Sequence, residues 1–469
     1  MLPLSSSRRT GTPDYNRDLN ASYTSSGWSS FAHAALATAL FRCWHILIFF
    51  GLWSTAICVI SHNVYNLALQ PTLITVFGTV LGFVISYRTT SGFERYNEGR
   101  RLWAQIVLGS RTFARTVWLH VPGTHVMSVS QLYFVMVNLL LDDVYPDKPP
   151  TGEQTKDEQK AENKAKTLVE KKSIVNLLEA FAVAVKHYLR GEDSIFYKDL
   201  YHLVKFLPAY ALPPTIPSVV DLNEKRDSSG EEGPCDFLLP AMIPPKHSFF
   251  HLFPFSVRMP TGVDVRKETE ARQRAMIPYR RGGSSYNIPL EISLYLSSYI
   301  SALQLRKTVD VPTINLLLAA LGQLVDALTG LERILTTPLP FSYCIHLWLV
   351  TLVYCLALPF QVWSSLKWLT IPATVLASFI FFGFLVAGEE IENPFGYDKN
   401  DLNMDHFVHD IIRKELRAIT AMPMPDPGEW AFSSQNDFLF SKSDQDERVQ
   451  PSEWVRRGVP KMRDSLKVQ

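Results

Sequence analysis

The sequence predicts an all-α membrane protein in which four membrane-crossing helices continue into a helical cytosolic domain. Three observations point there. Four apolar runs of about 17 to 22 residues carry hardly a charge, the length a helix needs to cross ~30 Å of hydrocarbon. Arginines crowd one end of the second run. The stretches between the second and third runs place apolar residues at helical spacing.

The first run covers residues 44–60 (WHILIFFGLWSTAICVI) and the second residues 71–87 (PTLITVFGTVLGFVISY). The third covers residues 341–362, and Phe360, Trp363 and Trp368 give it the aromatic end found at membrane interfaces. The fourth covers residues 369–387. Arg88, Arg95, Arg100, Arg101, Arg111 and Arg115 follow the second run, whereas the link between the first two (HNVYNLALQ) has no Lys or Arg. The positive-inside rule puts Arg88 onward in the cytosol, and with it both chain ends. Arg306, Lys307 and Arg333 before the third run agree, as does the single Lys367 between the third and fourth.

The second run passes into a helix extension in which Glu94, Glu98, Arg95 and Arg101 suit a helix surface, and Phe93, Tyr96, Leu102, Trp103 and Ile106 supply apolar faces. Residues 173–190, 290–305 and 313–335 read as further cytosolic helices; the first holds Glu179, Lys186 and His187, the last Gln323, Asp326, Glu332 and Arg333. Two polar stretches, about 142–172 and 212–285, read as insertions too poor in apolar surface to fold alone. The domain boundaries expected are a flexible tail at 1–39, the first two spans with their extension at 40–115, a cytosolic helical domain with the insertions at 116–340, two spans at 341–390, an acidic turn and helix at 391–421, and a flexible tail at 422–469.

Composition narrows the function. A net charge of +1 and no long basic run argue against nucleic acid as a partner. The five cysteines (Cys43, Cys58, Cys235, Cys344, Cys355) form no C-x-x-C pair and read as small apolar residues. No G-x-S-x-G, P-loop, H-E-x-x-H or dinucleotide fingerprint is present, so the chain reads as no enzyme and needs no organic cofactor. His45 and His346 sit at or near run ends and read as interfacial packing.

The segment GEEIENPFGYDKNDL at residues 388–402 stands out. Its clustered oxygen ligands are of the kind a hard cation such as calcium takes, although the spacing is not that of an EF-hand. The competing reading, which the residues favour, is a turn in which Asn393-Pro394 stops the helix and Gly396 permits the reversal.

Three blocks in order resemble the bestrophin family, in its bacterial, plant and fungal branch: SYRTTSGFERYNEGRRLWAQIVLGSRTFAR at residues 86–115, LERILTTPLPFSY at 331–343 and EEIENPFGYDKNDLNMD at 389–405. The residues that carry the likeness are Arg88, Arg95, Glu98, Arg100, Trp103, Glu332, Arg333, Glu392, Pro394, Phe395 and Gly396. The resemblance implies a homopentamer with one central pore. Each subunit would give four membrane helices to a bundle that runs on into a cytosolic helical domain. It implies passive conduction of chloride or other small anions, with cation-selective relatives also known. The pore neck it implies is Thr79, Phe83 and Tyr87, which recur every four residues on one helical face. Stacked rings of this kind can gate by dewetting, and aromatic edges can face an anion. Thr79 departs from the aliphatic residue often found there. The family's calcium-binding turn maps onto Asn393, Asp398 and Asp401, but Tyr397, Lys399 and Asn400 dilute its charge, so calcium is the less favoured expectation. A non-conducting membrane scaffold or regulatory subunit and, last, a membrane enzyme remain as competing readings.

Overall fold

The computed structural model describes residues 39–69, 72–122, 156–192, 194–208, 239–242, 287–398, 400–421, 425–441 and 448–467. These form helices, joined by turns and one isolated parallel bridge between Tyr197 and Leu239. In chain order the longer helices are α1 (Ala39–Asn63), α2 (Thr72–His120), α3 (Lys156–Leu189), α4 (Ile288–Arg306) and α5 (Val311–Thr336). There follow α6 (Phe341–Leu366), α7 (Thr370–Glu392), α8 (Arg413–Ala421) and α9 (Pro451–Leu466). A π-helical stretch, His406–Ile412, leads into α8.

The chain divides into two compact units: residues 1–106, 183–290 and 325–405 make the first, and residues 107–182, 291–324 and 406–469 the second. The first unit holds a four-helix bundle. Cys43 and Phe50 of α1, Leu81 and Ile85 of α2, Leu347 and Cys355 of α6, and Phe382 and Leu385 of α7 share one buried cluster. Phe50 stacks on Phe382 at 5.5 Å. Some polar groups in the bundle pair with one another. Ser54 Oγ lies 3.3 Å from Thr374 Oγ1, and Trp53 Nε1 donates to the Leu356 carbonyl at 3.1 Å.

Among the described residues, Cys43–Asn63, Val311–Thr336 and Phe341–Glu392 are long and apolar enough to cross a membrane. The last, 52 residues, contains both α6 and α7. The first run is thus α1, the second opens the 49-residue α2, and the third and fourth are α6 and α7. α5, expected in the cytosol, also has the length and composition of a span.

In the second unit Val117, Phe181, Leu296 and Leu317 are buried. Charged pairs surround this core. Arg306 grips Glu170 with two nitrogens at 2.7 and 3.1 Å, Arg111 does the same to Glu415, and Arg413 pairs with Glu179. The buried Lys171 ammonium donates to the carbonyls of Trp118 and Val121, capping the end of α2.

Two stretches differ from expectation. α3 begins at Lys156, inside the polar stretch 142–172 expected to be an insertion. Lys, Glu and Ala favour helix, a Glu162–Lys166 pair at 2.7 Å supports the turn, and Thr167 and Lys171 are buried. The C-terminal segment, expected as a flexible tail, contains α9, which opens with a proline in its first turn and sets Trp454 against Phe440 at 4.6 Å. The N-terminal tail, most of the 212–285 stretch and Cys235 lie outside the described residues. Among the described cysteines, Cys43, Cys58 and Cys355 are buried and Cys344 is half-buried.

Candidate functional site: a two-faced helix and the turn that anchors it

The upper part of α2 has two unlike faces. Leu81, Ile85, Arg88, Gly92, Gly99 and Leu102 recur every three or four residues, or multiples of that, and are buried, with Trp103 fully so. The opposite face carries Thr79, Phe83 and Tyr87, all exposed in the single chain, Phe83 by 73 % and Tyr87 by 69 %. The structure thus places these three residues on one exposed face of α2. An exposed patch of large aromatic side chains marks a surface for lipid or for another protein chain.

The buried face is fastened through the family-motif residues. Arg88, 2 % exposed, lies 3.7 Å from the Glu392 carboxylate at the end of α7. The other Glu392 oxygen accepts the Leu339 N–H at 2.9 Å. Arg95 donates to three carbonyls: Glu392 at 3.1 Å, Thr337 at 2.6 Å, and Ile334. One guanidinium therefore caps the C-terminal ends of both α5 and α7, where carbonyls lack helical partners. Glu98 pairs with Arg333, and Glu332 accepts from Asn287 at 2.5 Å. Arg100, by contrast, is exposed.

The acidic segment forms a closed turn. Asn393 is extended (φ −116°, ψ 96°), as the residue before Pro394 must be once α7 stops. Phe395 is fully buried against α2, where Gly99 makes room: a Cβ there would lie 3.2 Å from the Phe395 ring and 3.3 Å from Leu402. At Gly396 a Cβ would lie 2.6 Å from Asp401 Oδ2. That oxygen accepts the Asp398 N–H at 2.8 Å, Asn393 Oδ1 takes the Phe395 N–H at 3.4 Å, and the Leu402 N–H reaches the Pro394 carbonyl at 2.9 Å. Asn393, Asp398 and Asp401 do share one turn, but Asn393 and Asp401 spend oxygens on the turn's own N–H groups. Among the described residues no three acidic, histidine or cysteine side chains are grouped to hold a metal. Lys399 lies outside the described residues.

A charged network beside this turn escapes the sequence reading. The buried Lys186 ammonium donates to Asp199 at 2.6 Å and to Asp405 at 3.0 Å, and Arg190 meets the other Asp405 oxygen at 3.1 Å. His187 stacks on Tyr197 at 4.0 Å and contacts Glu192 at 2.5 Å and Asp199 at 2.9 Å. The Tyr397 hydroxyl donates to Glu192 at 2.5 Å. Burial alone would raise both aspartates. His187 and Lys186 outweigh it at Asp199, and Lys186 and Arg190 at Asp405, so both carboxyls lie below the usual range. The available signal is Lys186-His187 placed inside the apolar run AFAVAVKHYL, since ionisable residues in a buried helix need partners.

Among the described residues, apolar helices of membrane length and an anchored helix bearing an exposed aromatic face define a class, the helical integral membrane proteins. Residues 24–140 and 251–417 match the model of the bacterial/fungal bestrophin protein family, and the chain belongs to that family. It is 28 % identical over 345 residues to a voltage-dependent anion channel-forming protein of Nostoc, covering 73 % of this chain and 76 % of the relative. A protein of the same description from Synechocystis is 25 % identical over 359 residues, covering 76 % and 80 %. Among solved structures, a variant of a bacterial bestrophin homologue from Klebsiella pneumoniae superposes with a TM-score of 0.50 at 20 % identity, over 82 % of this chain and 99 % of that one. It supports the fold.

Proposed function

We propose that this chain is one subunit of a passive channel for chloride or other small monovalent anions, with its neck formed by Thr79, Phe83 and Tyr87. The observation that carries this reading is the two-faced α2: one side fixed by Arg88, Arg95 and Phe395, the other presenting exposed aromatic side chains at four-residue spacing. Copies assembled about an axis, five by resemblance to the family, would bury that face as stacked rings. The relatives' description as anion channel-forming proteins supports the choice of ion.

In this reading α1, the start of α2, α6 and α7 cross the membrane, and both chain ends are cytosolic. α5 stays in the cytosol despite its apolar content. Its buried residues, such as Leu317, Leu324 and Leu331, recur at helical spacing, while Gln323, Asp326 and Arg333 are exposed. Placing Asp326 or Arg333 at the centre of a bilayer would cost about 2.5–3.5 kcal/mol each. The turn at Asn393–Asp401 acts as a structural joint that needs no calcium.

The test is the reversal potential of purified protein in a planar bilayer under a KCl gradient, with and without calcium. Reversal near the chloride equilibrium potential supports the reading, and reversal near the potassium potential replaces the anion with a cation. Silence from assembled oligomers favours a scaffold. A calcium-dependent current would return Asp398 and Asp401 to the role of ligands.

A further inference from the structure

We propose that Arg190 is a built-in cation of the turn after α7, a positioning residue whose charge holds residues 397–405 in place where an added metal ion would otherwise be needed. The inference rests on the channel reading only for its consequence, not for its geometry.

Arg190 follows the last residue of α3, where the helix end favours positive charge. Its side chain is 4 % exposed. The guanidinium lies 4.0 Å over the Tyr397 ring, and Nη2 reaches Asp405 at 3.1 Å. Among the described residues Nε and Nη1 have no hydrogen-bond partner, so the aromatic face is the main compensation there for the rest of the cation. Both ends of the turn segment, Tyr397 and Asp405, are thus held by one side chain. Lys186, one turn earlier on α3, holds the second Asp405 oxygen and joins it to Asp199. Glu192, two residues beyond Arg190, accepts from the Tyr397 hydroxyl and fixes the ring under the guanidinium.

A bound divalent ion orders a turn by neutralising carboxylates that would otherwise repel one another. Here an ammonium and a guanidinium of the chain itself, both from the end of α3, neutralise Asp405. The turn in turn carries Phe395, which packs on α2 below the neck face. Loss of the Arg190 charge would therefore loosen the support of the neck helix without touching the pore lining.

The test is hydrogen exchange of the full-length assembled protein, read by mass spectrometry over residues 393–405 in calcium and in EGTA. The wild type, Arg190→Gln and Arg190→Lys are compared. The expected result is equal protection of the wild type in both buffers. Exchange in Arg190→Gln should be faster by about tenfold or more, as loss of a charged hydrogen bond implies. Arg190→Lys should recover most of the protection. Wild-type protection that requires calcium, or an Arg190→Gln protein that exchanges like wild type, overturns the proposal. So does failure of Arg190→Lys to rescue, since that would assign the effect to packing of a flat group and not to charge. Exchange is read whether or not the protein conducts. Planar-bilayer currents of the same preparations judge the channel reading separately, and there Arg190→Gln should lower open probability with single-channel conductance unchanged.

Discussion

Phe83 and Arg88 lie five residues apart on α2 and face opposite ways, Phe83 exposed by 73 % and Arg88 by 2 %. Five residues turn a helix by roughly 140°, so one side of the helix can be fixed within its own chain while the other, in the proposed channel, lines the neck. Substitutions on the two faces should therefore fail differently.

On the open face, Phe83→Ala is expected to raise single-channel conductance by widening the proposed neck. Folding of the subunit should change by no more than about 0.5 kcal/mol, because the side chain has little cover within its own chain. Single-channel recording and thermal unfolding of the same detergent preparation check both halves. Unchanged conductance with an intact oligomer would remove Phe83 from the neck.

On the fixed face, the prediction concerns two glutamates of the same motif set. Glu392→Ala leaves the buried Arg88 without its carboxylate and the Leu339 N–H without its acceptor. Removing one partner of a buried pair costs about 3–5 kcal/mol. Glu98→Ala breaks a pair with Arg333, whose side chain is 64 % exposed, and the expected cost is about 0–1 kcal/mol. Thermal unfolding should rank Glu392→Ala far below Glu98→Ala, and equal losses would deny Glu392 its anchoring role.

Gly99 and Phe395 offer a test of the joint between α2 and the turn. A methyl group at Gly99 would meet Phe395 at 3.2 Å and Leu402 at 3.3 Å, so Gly99→Ala should cost about 1–3 kcal/mol by overpacking. Phe395→Leu alone leaves a gap and also destabilises. The two together should cost less than their sum, because the smaller ring substitute makes room for the methyl group. Additive losses in a double-mutant cycle would show that the pair does not share this contact.

The apolar runs were legible because nearly uncharged stretches of span length have few soluble alternatives, and the helical continuation past Arg88 because its apolar and charged residues keep one period. The acidic turn was legible from Asn393-Pro394 and Gly396. What the sequence hides is pairing at a distance. Lys186 meets Asp199 across 13 positions and Asp405 across 219, and no local pattern links those residues. Composition also misleads at 156–172, where a stretch too polar to fold alone becomes helix because Lys171 and Thr167 gain burial in its last turns.

That hidden network contributes to the pH dependence. Asp199 and Asp405 are buried, which alone would raise them, but His187, Lys186 and Arg190 hold both below their ordinary range. A carboxyl depressed in the folded state adds stability that is fully present above its unfolded value, ~3.9. That stability is lost as pH falls through the folded value. The unfolding temperature should accordingly be insensitive to these two groups near neutrality and fall increasingly below about pH 4. Asp405→Asn should be less stable than wild type at pH 6, because Lys186 and Arg190 lose a charged partner, and the gap should narrow as the pH is lowered. Unfolding curves of both proteins between pH 6 and pH 3 measure this directly. A gap that stays constant over that range would mean that the Asp405 charge contributes nothing to the folded state.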